Sequence, residues 1–240
     1  MSEEPDLPAH RLWQPTTARW FFALFGASLA YAIVRYHLAG DVAWDHFPLF
    51  ILNKATSLAS VFFVASSYLI GKTIRRYDDD PALRLVVIKF CGLMGFFLAA
   101  VHAFMSFLLM RPAYFAKYFA DDGRMNLTGE LGMTLGIVAL FFLLSPAVTT
   151  LPTMPKALGG WRWKRSQRVG YVALTLVAAH LVVLGLQGWL HPAKWSGGMP
   201  PISLVALVGA VVPLVVKRRT VRAKQAAAEE RARRAESSPG

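Results

Sequence analysis

Six long, nearly charge-free apolar runs constrain this chain more than any other feature. They cover Ala18–Tyr36, Pro48–Ile70, Leu85–Met110, Leu131–Val148, Gly170–Leu190 and Ile202–Val216. About 20 apolar residues, rising 1.5 Å each in a helix, cross a hydrocarbon layer of roughly 30 Å. The last run is the shortest and carries Pro213, which membrane helices tolerate where neighbours satisfy the freed carbonyl. A soluble helical core would show amphipathic stripes in place of these blocks. Composition agrees, with only 17% of the 240 residues charged against about a quarter in soluble domains. The expected fold is all-α, an integral membrane bundle of six transmembrane helices.

Lysine and arginine in the short connections set the orientation. Two basic residues precede or open the first run, four lie between Lys72 and Arg84, five between Lys156 and Arg168, and eight follow Val216. The three opposite connections hold Arg35, Arg111, Lys117, Arg124 and Lys194. This asymmetry predicts an N-in/C-in arrangement: a cytoplasmic tail over 1–17, the membrane domain over 18–216 and a basic cytoplasmic tail over 217–240. The formal charge of +12 would point to nucleic acid on a soluble domain. Here it lies between and after the apolar runs, where orientation and contact with anionic membrane lipid explain it, so no nucleic-acid partner is expected. Cys91 is the single cysteine, which excludes an intrachain disulfide and a cysteine-based zinc or iron–sulfur site. The N-terminus is acidic and no small-residue cleavage site follows a basic start, so the first run is expected to remain as a span.

Of six histidines, only His102 and His180 fall within runs, the third and the fifth. Ionisable groups are rare in a bilayer and are functional candidates by default. One such histidine is equally well explained as a hydrogen-bonded packing residue; two on helices that run the same way favour a shared role. Each is preceded, ten positions earlier, by a glycine (Gly92, Gly170), and seven positions earlier by a small residue (Gly95, Ala173). Seven steps return within about 20° of the same helix face, so Gly95 and Ala173 would offer a seat on which a flat macrocycle could lie. Two helices offering one imidazole each describe a bis-histidine haem b clamp, with His102 and His180 as the axial iron ligands. Structural zinc would want four ligands.

These stretches resemble the ferric-reductase-like transmembrane domain family, and within it the haem-binding membrane subunits of periplasmic methionine-sulfoxide reductase systems. The likeness rests on Asn53-Lys54-Ala55, Lys89 to His102, Thr128-Gly129-Glu130 with Leu131-Gly132, and Trp161 to His180. It covers the second to fifth runs, about half the chain. The family often carries a second histidine 13 or 14 residues from the first on each ligand helix. Here the positions 13 before His102 and His180 are Lys89 and Gln167, so the resemblance implies one haem, in the outer half of the bilayer, where two would otherwise stack. Lys54 could pair with a haem propionate, and snorkelling to the interface accounts for it equally well. His191, 11 residues after His180, would face the same way as a quinol proton acceptor or alternative ligand. An interfacial histidine beside Trp189 is the better account of it.

A bis-histidine haem has no open coordination position and suits electron transfer. The sequence holds no glycine-rich dinucleotide fingerprint, so flavin (FMN or FAD) is expected only through a partner. The resemblance therefore implies a haem b electron-transfer subunit in a bacterial inner membrane. It would pass electrons from a quinol or a cytosolic flavin reductase to a periplasmic reductase or other acceptor, with a quinone as a further candidate ligand. The alternatives are a self-sufficient ferric reductase and a haem-free transporter or anchor on the same bundle.

Overall fold

The computed structural model describes residues 12–70, 72–74, 77–151 and 153–237. His10 and most of the expected N-terminal tail lie outside them. Six helices are long and apolar enough to cross a membrane, and no strand occurs among the described residues. They are α1 (Pro15–Ile33), α2 (Leu52–Leu69), α3 (Pro81–Leu109), α4 (Leu127–Val148), α5 (Met154–Trp189) and α6 (Ile202–Ser237). All six expected runs are therefore helices, and their ends are set by local chemistry. Asp80 accepts from the Leu83 amide at 2.9 Å with Pro81 at the first helical position of α3. Asn126 does the same for the Gly129 amide of α4 at 3.0 Å. Both are side-chain caps on donors that a helix start leaves unpaired.

One boundary differs from expectation. The basic stretch Lys156–Arg168, expected as a connection, is wound into α5, which bends at Gly159 where φ is +72°. Beyond the bend it packs on the end of α4: the Trp163 indole donates to the Thr149 carbonyl at 2.9 Å, and Ser166 pairs with Ser145 at 2.8 Å. At the other end α6 runs on without a break across residues 216 and 217, because the Ala-rich sequence that follows is strongly helix-forming.

The helices form a closed ring. α2 packs along α3, α3 meets α4, α4 packs along α5, α5 meets α6, and α6 returns to α2. α1 stands outside, against α2, and widens into a π turn at Val34–Leu38. A similar turn, Phe47–Ile51, leads into α2. Large side chains such as Phe104, Phe141 and Val208 point outward and are exposed, while small and polar residues of α2 (Asn53, Ala55, Thr56, Ala59, Ser60) are buried. That inversion is what a bundle with an apolar exterior solvent requires, since close packing of small residues and hydrogen bonds, not apolar burial, joins helices there.

Candidate haem-binding cavity

The ring encloses a cavity of about 790 Å³, within the roughly 300–1,000 Å³ of small-molecule and cofactor sites. All five ring helices line it: Asn53 and Lys54 from α2, His102 from α3, Gly136 from α4, His180 from α5 and Ala206 from α6. Arg35 and Tyr36 reach it from the π turn of α1. It opens toward the end of the bundle that bears the α1–α2, α3–α4 and α5–α6 connections, since Met110, Lys117, His191 and Lys194 line its mouth.

Each histidine is held by its Nδ1. His180 Nδ1 lies 2.7 Å from the Gly132 carbonyl, and His102 Nδ1 lies 3.3 Å from the Asn53 carbonyl with the Ser106 hydroxyl at 3.4 Å. A carbonyl only accepts, so Nδ1 must carry the proton. In a neutral ring that leaves the Nε2 lone pair as the free basic site, the arrangement of a metal-binding imidazole. The Asn53 side chain returns the contact, donating to the His102 carbonyl at 3.1 Å and to Ser106 Oγ at 2.9 Å. Thus α2 fixes α3, and with it the ring of His102.

On the other side, α4 approaches α5 closely enough that glycine is needed. A Cβ on Gly136 would lie 3.1 Å from Cε1 and Nδ1 of His180, and one on Gly132 would lie 2.3 Å from Leu184 Cδ2. These two glycines, four apart, bring the α4 backbone to the imidazole. The spacing is the small-xxx-small signal of membrane helix contacts, and it was readable in the sequence. So was a buried asparagine opening an apolar run.

Gly95 and Ala173 take a different place from the one expected of them. Neither lines the cavity. Gly95 presses α3 against α2, where a Cβ would lie 2.9 Å from the Val64 amide nitrogen and 3.1 Å from the Ser60 carbonyl. Ala173 is fully buried in the hydrophobic core. Tyr68 closes the same end, its ring lying where a Gly170 side chain would otherwise sit and its hydroxyl donating to the Gln167 carbonyl at 2.9 Å. These small residues bring helices together beneath the cavity.

Lys54 lines the cavity with its ammonium 5.0 and 4.6 Å from the ring centroids of Phe50 and Phe115. His191 is at the mouth, exposed, its Nδ1 2.8 Å from the Gln187 carbonyl. Lys117, also at the mouth, reaches the Leu184 carbonyl at 3.4 Å; partial burial there holds its ammonium below the usual lysine range. The positions 13 before the two histidines are occupied in other ways. Gln167 donates to the Pro146 carbonyl at 3.1 Å and to Thr149 Oγ1 at 3.0 Å, and Lys89 is half-buried on α3. No cluster of three or more histidine, cysteine or carboxylate groups able to hold a bare metal ion occurs among the described residues.

Fold and site together define a multi-pass integral membrane protein with a histidine-flanked cavity inside a helix ring. Metalloreductase STEAP2 of Mus musculus is similar to it, 25% identical over 187 residues, covering 67% of this chain. The haem-binding subunit MsrQ of the protein-methionine-sulfoxide reductase of Rhodospirillum rubrum is 28% identical over 135 residues, covering 56% of this chain and 61% of its own length. The magnetosome protein MamZ of Magnetospirillum gryphiswaldense is 30% identical over 95 residues, 40% of this chain and 14% of its own. The chain spans 38% of the length of the metalloreductase. No family model matches the chain.

Proposed function

We propose that this chain is the haem b-carrying electron-transfer subunit of a membrane oxidoreductase, with one haem between His102 and His180. One observation carries the reading: two imidazoles from different helices line a single cavity, each with Nδ1 committed to a backbone carbonyl. Haem bound between them would supply a one-electron carrier with no open coordination position. His102 and His180 would be the axial ligands, Asn53 and Ser106 would orient the first, and Gly132 and Gly136 would orient the second. The donor set fits the group, being two neutral imidazoles in a largely apolar chamber with cations at its mouth. Commitment of Gln167 to α4 supports one haem over two. The relatives' names support the same reading, one being a haem-binding reductase subunit and another a metalloreductase.

In this reading the chain lies N-in/C-in in a bacterial inner membrane, with residues 18–216 as the membrane domain between two cytoplasmic tails. The cavity then opens outward. Electrons arrive from a quinol, or from FMN or FAD in a cytosolic reductase, and leave to a periplasmic reductase or other acceptor. A second reading, direct reduction of ferric iron at the mouth, draws on the metalloreductase similarity.

The test is a reduced-minus-oxidised difference spectrum with haem quantification on the purified protein. One low-spin haem b per chain is expected, lost in His102→Ala and in His180→Ala. A colourless wild-type protein would sink the proposal and favour a haem-free anchor.

A further inference from the structure

Five basic residues stand in the connections opposite the heavily basic ones, and their environments divide sharply. Arg111 donates to the Leu108 carbonyl at 2.9 and 3.1 Å, and Arg124 pairs with Asp122 at 3.7 Å. Both are satisfied at the surface and neither lines the cavity. The other three, Arg35, Lys117 and Lys194, all line it, and Lys54 joins them. Among the described residues, none of these four pairs with a carboxylate and no aspartate or glutamate lines the cavity.

Arg35 is the most demanding of the four. It is 8% exposed, its Nη1 donates to the Met199 carbonyl, and its Nε has no hydrogen-bond partner. A buried guanidinium with an unused N–H is costly unless something anionic completes it. The π turn Val34–Leu38 is what carries Arg35 to the cavity from a helix that is otherwise outside the ring; such turns often mark functional positions. Lys54, between two aromatic rings that supply no negative charge, is the second cation without a counter-ion.

We propose that Arg35 and Lys54 form a dianion clamp: Arg35 binds one carboxylate of the cavity ligand through its guanidinium, and Lys54, with Lys117 beside it, neutralises the other. The inference rests on the haem reading, in which the two carboxylates are the propionates. It adds the orientation of the ligand, propionates toward the mouth, and selection for a dicarboxylate porphyrin. It also accounts for two of the five basic residues on the sparsely basic side of the chain, Arg35 and Lys117, which serve the ligand and not the membrane orientation.

The test uses the full chain, produced without haem and loaded in detergent with haem b or with haem dimethyl ester, whose propionates carry no charge. Wild type is expected to hold haem b at least about 10-fold more tightly than the ester, as a charge-assisted hydrogen bond to a buried arginine implies. Arg35→Gln should weaken haem b by a similar factor, leave the ester unaffected and so remove most of the discrimination. Arg35→Lys keeps the charge and should recover part of it. The comparison within wild type also stands if Arg35→Gln does not fold. Equal affinity of wild type for both pigments would overturn the clamp and leave the histidine ligation intact. Failure of wild type to take either pigment would overturn the haem reading and the clamp together. Arg35→Gln behaving as wild type with both pigments would remove Arg35 from the site.

Discussion

Replacing Asn53 with leucine tests how far α2 governs His102, the proposed haem ligand on α3. The side chain is 2% exposed and makes two hydrogen bonds to α3, at 3.1 Å to the His102 carbonyl and 2.9 Å to Ser106 Oγ. Leucine fills a similar volume and introduces no polar atom. Neither partner is left stranded, because a serine hydroxyl can turn back to the carbonyl four residues earlier in its own helix. The loss is then two interhelical hydrogen bonds in apolar surroundings, about 0.6 kcal/mol each on average and about 1.7 at most, so roughly 1–3 kcal/mol together. His102 Nδ1 keeps the main-chain carbonyl of residue 53, so its proton stays where it is and only the aim of the ring loosens. Groups that orient metal ligands typically contribute about 10–100-fold in affinity, and retention of the carbonyl places this case near 10-fold. The assay is haem transfer from the purified protein to an excess of an apo haem acceptor, followed by absorbance. Asn53→Leu should lose haem about 10-fold faster than wild type while keeping a bis-histidine spectrum. Transfer at the wild-type rate would refute the reasoning, leaving Asn53 as a helix tie with no hold on the ligand.

Three further outcomes are expected. Gly136→Ala puts a methyl 3.1 Å from the His180 ring, which must yield by a few tenths of an ångström. The electron paramagnetic resonance of the ferric haem should shift, with a stability loss of about 1–3 kcal/mol, and an unchanged resonance would mean that α4 does not aim the ligand. Gln167→Ala removes donors to Pro146 and Thr149 and should lower stability by about 1–2 kcal/mol with the haem-to-protein ratio unchanged; a fall in that ratio would restore a cofactor role to position 167. Single cysteines in place of Gly198 and Glu229 should react with an impermeant maleimide from outside and from inside respectively, against a silent background because Cys91 is fully buried. The reverse pattern would overturn the N-in/C-in orientation.

The six helices were legible because a bilayer forbids the ambiguity that soluble sequences carry: a long apolar run has only a helix in which to satisfy its backbone. Where water returns, that constraint lapses. The stretch Lys156–Arg168 reads as a connection by charge, yet Trp163, Ser166 and Gln167 find partners on α4 and hold it in a helix. The run after Val216 stays helical through its Ala-rich propensity, helped by the Glu230–Arg234 pair one turn apart. Nothing in either stretch announces its partner, because hydropathy reports what a segment is dissolved in and not what it touches.

The site divides along the same line. His102 and His180 stood out because each is an ionisable group in an apolar run, a property of one position. The seats inferred for them required knowing what their shared helix face looks upon. Gly95 does share the face of His102, as seven-residue spacing dictates, but that face is turned to α2. Asn53 and Ser106 meet His102 there, and Ser60 and Val64 meet Gly95 two turns away. The cavity begins at about Ala99 and Leu174, one to two turns before the histidines, and extends toward Met110 and His191, so it flanks both imidazoles and leaves Gly95 and Ala173 outside its lining. What lies beneath it is a seal, made by the same small residues that looked like a platform. Small side chains permit close approach of a backbone or of a cofactor with equal ease, and only the neighbouring helix decides between them. The better sequence signal on the His180 side was Gly132 and Gly136, because two glycines one turn apart on α4 mark a close helix–helix contact. The imidazole of His180 is what that contact holds.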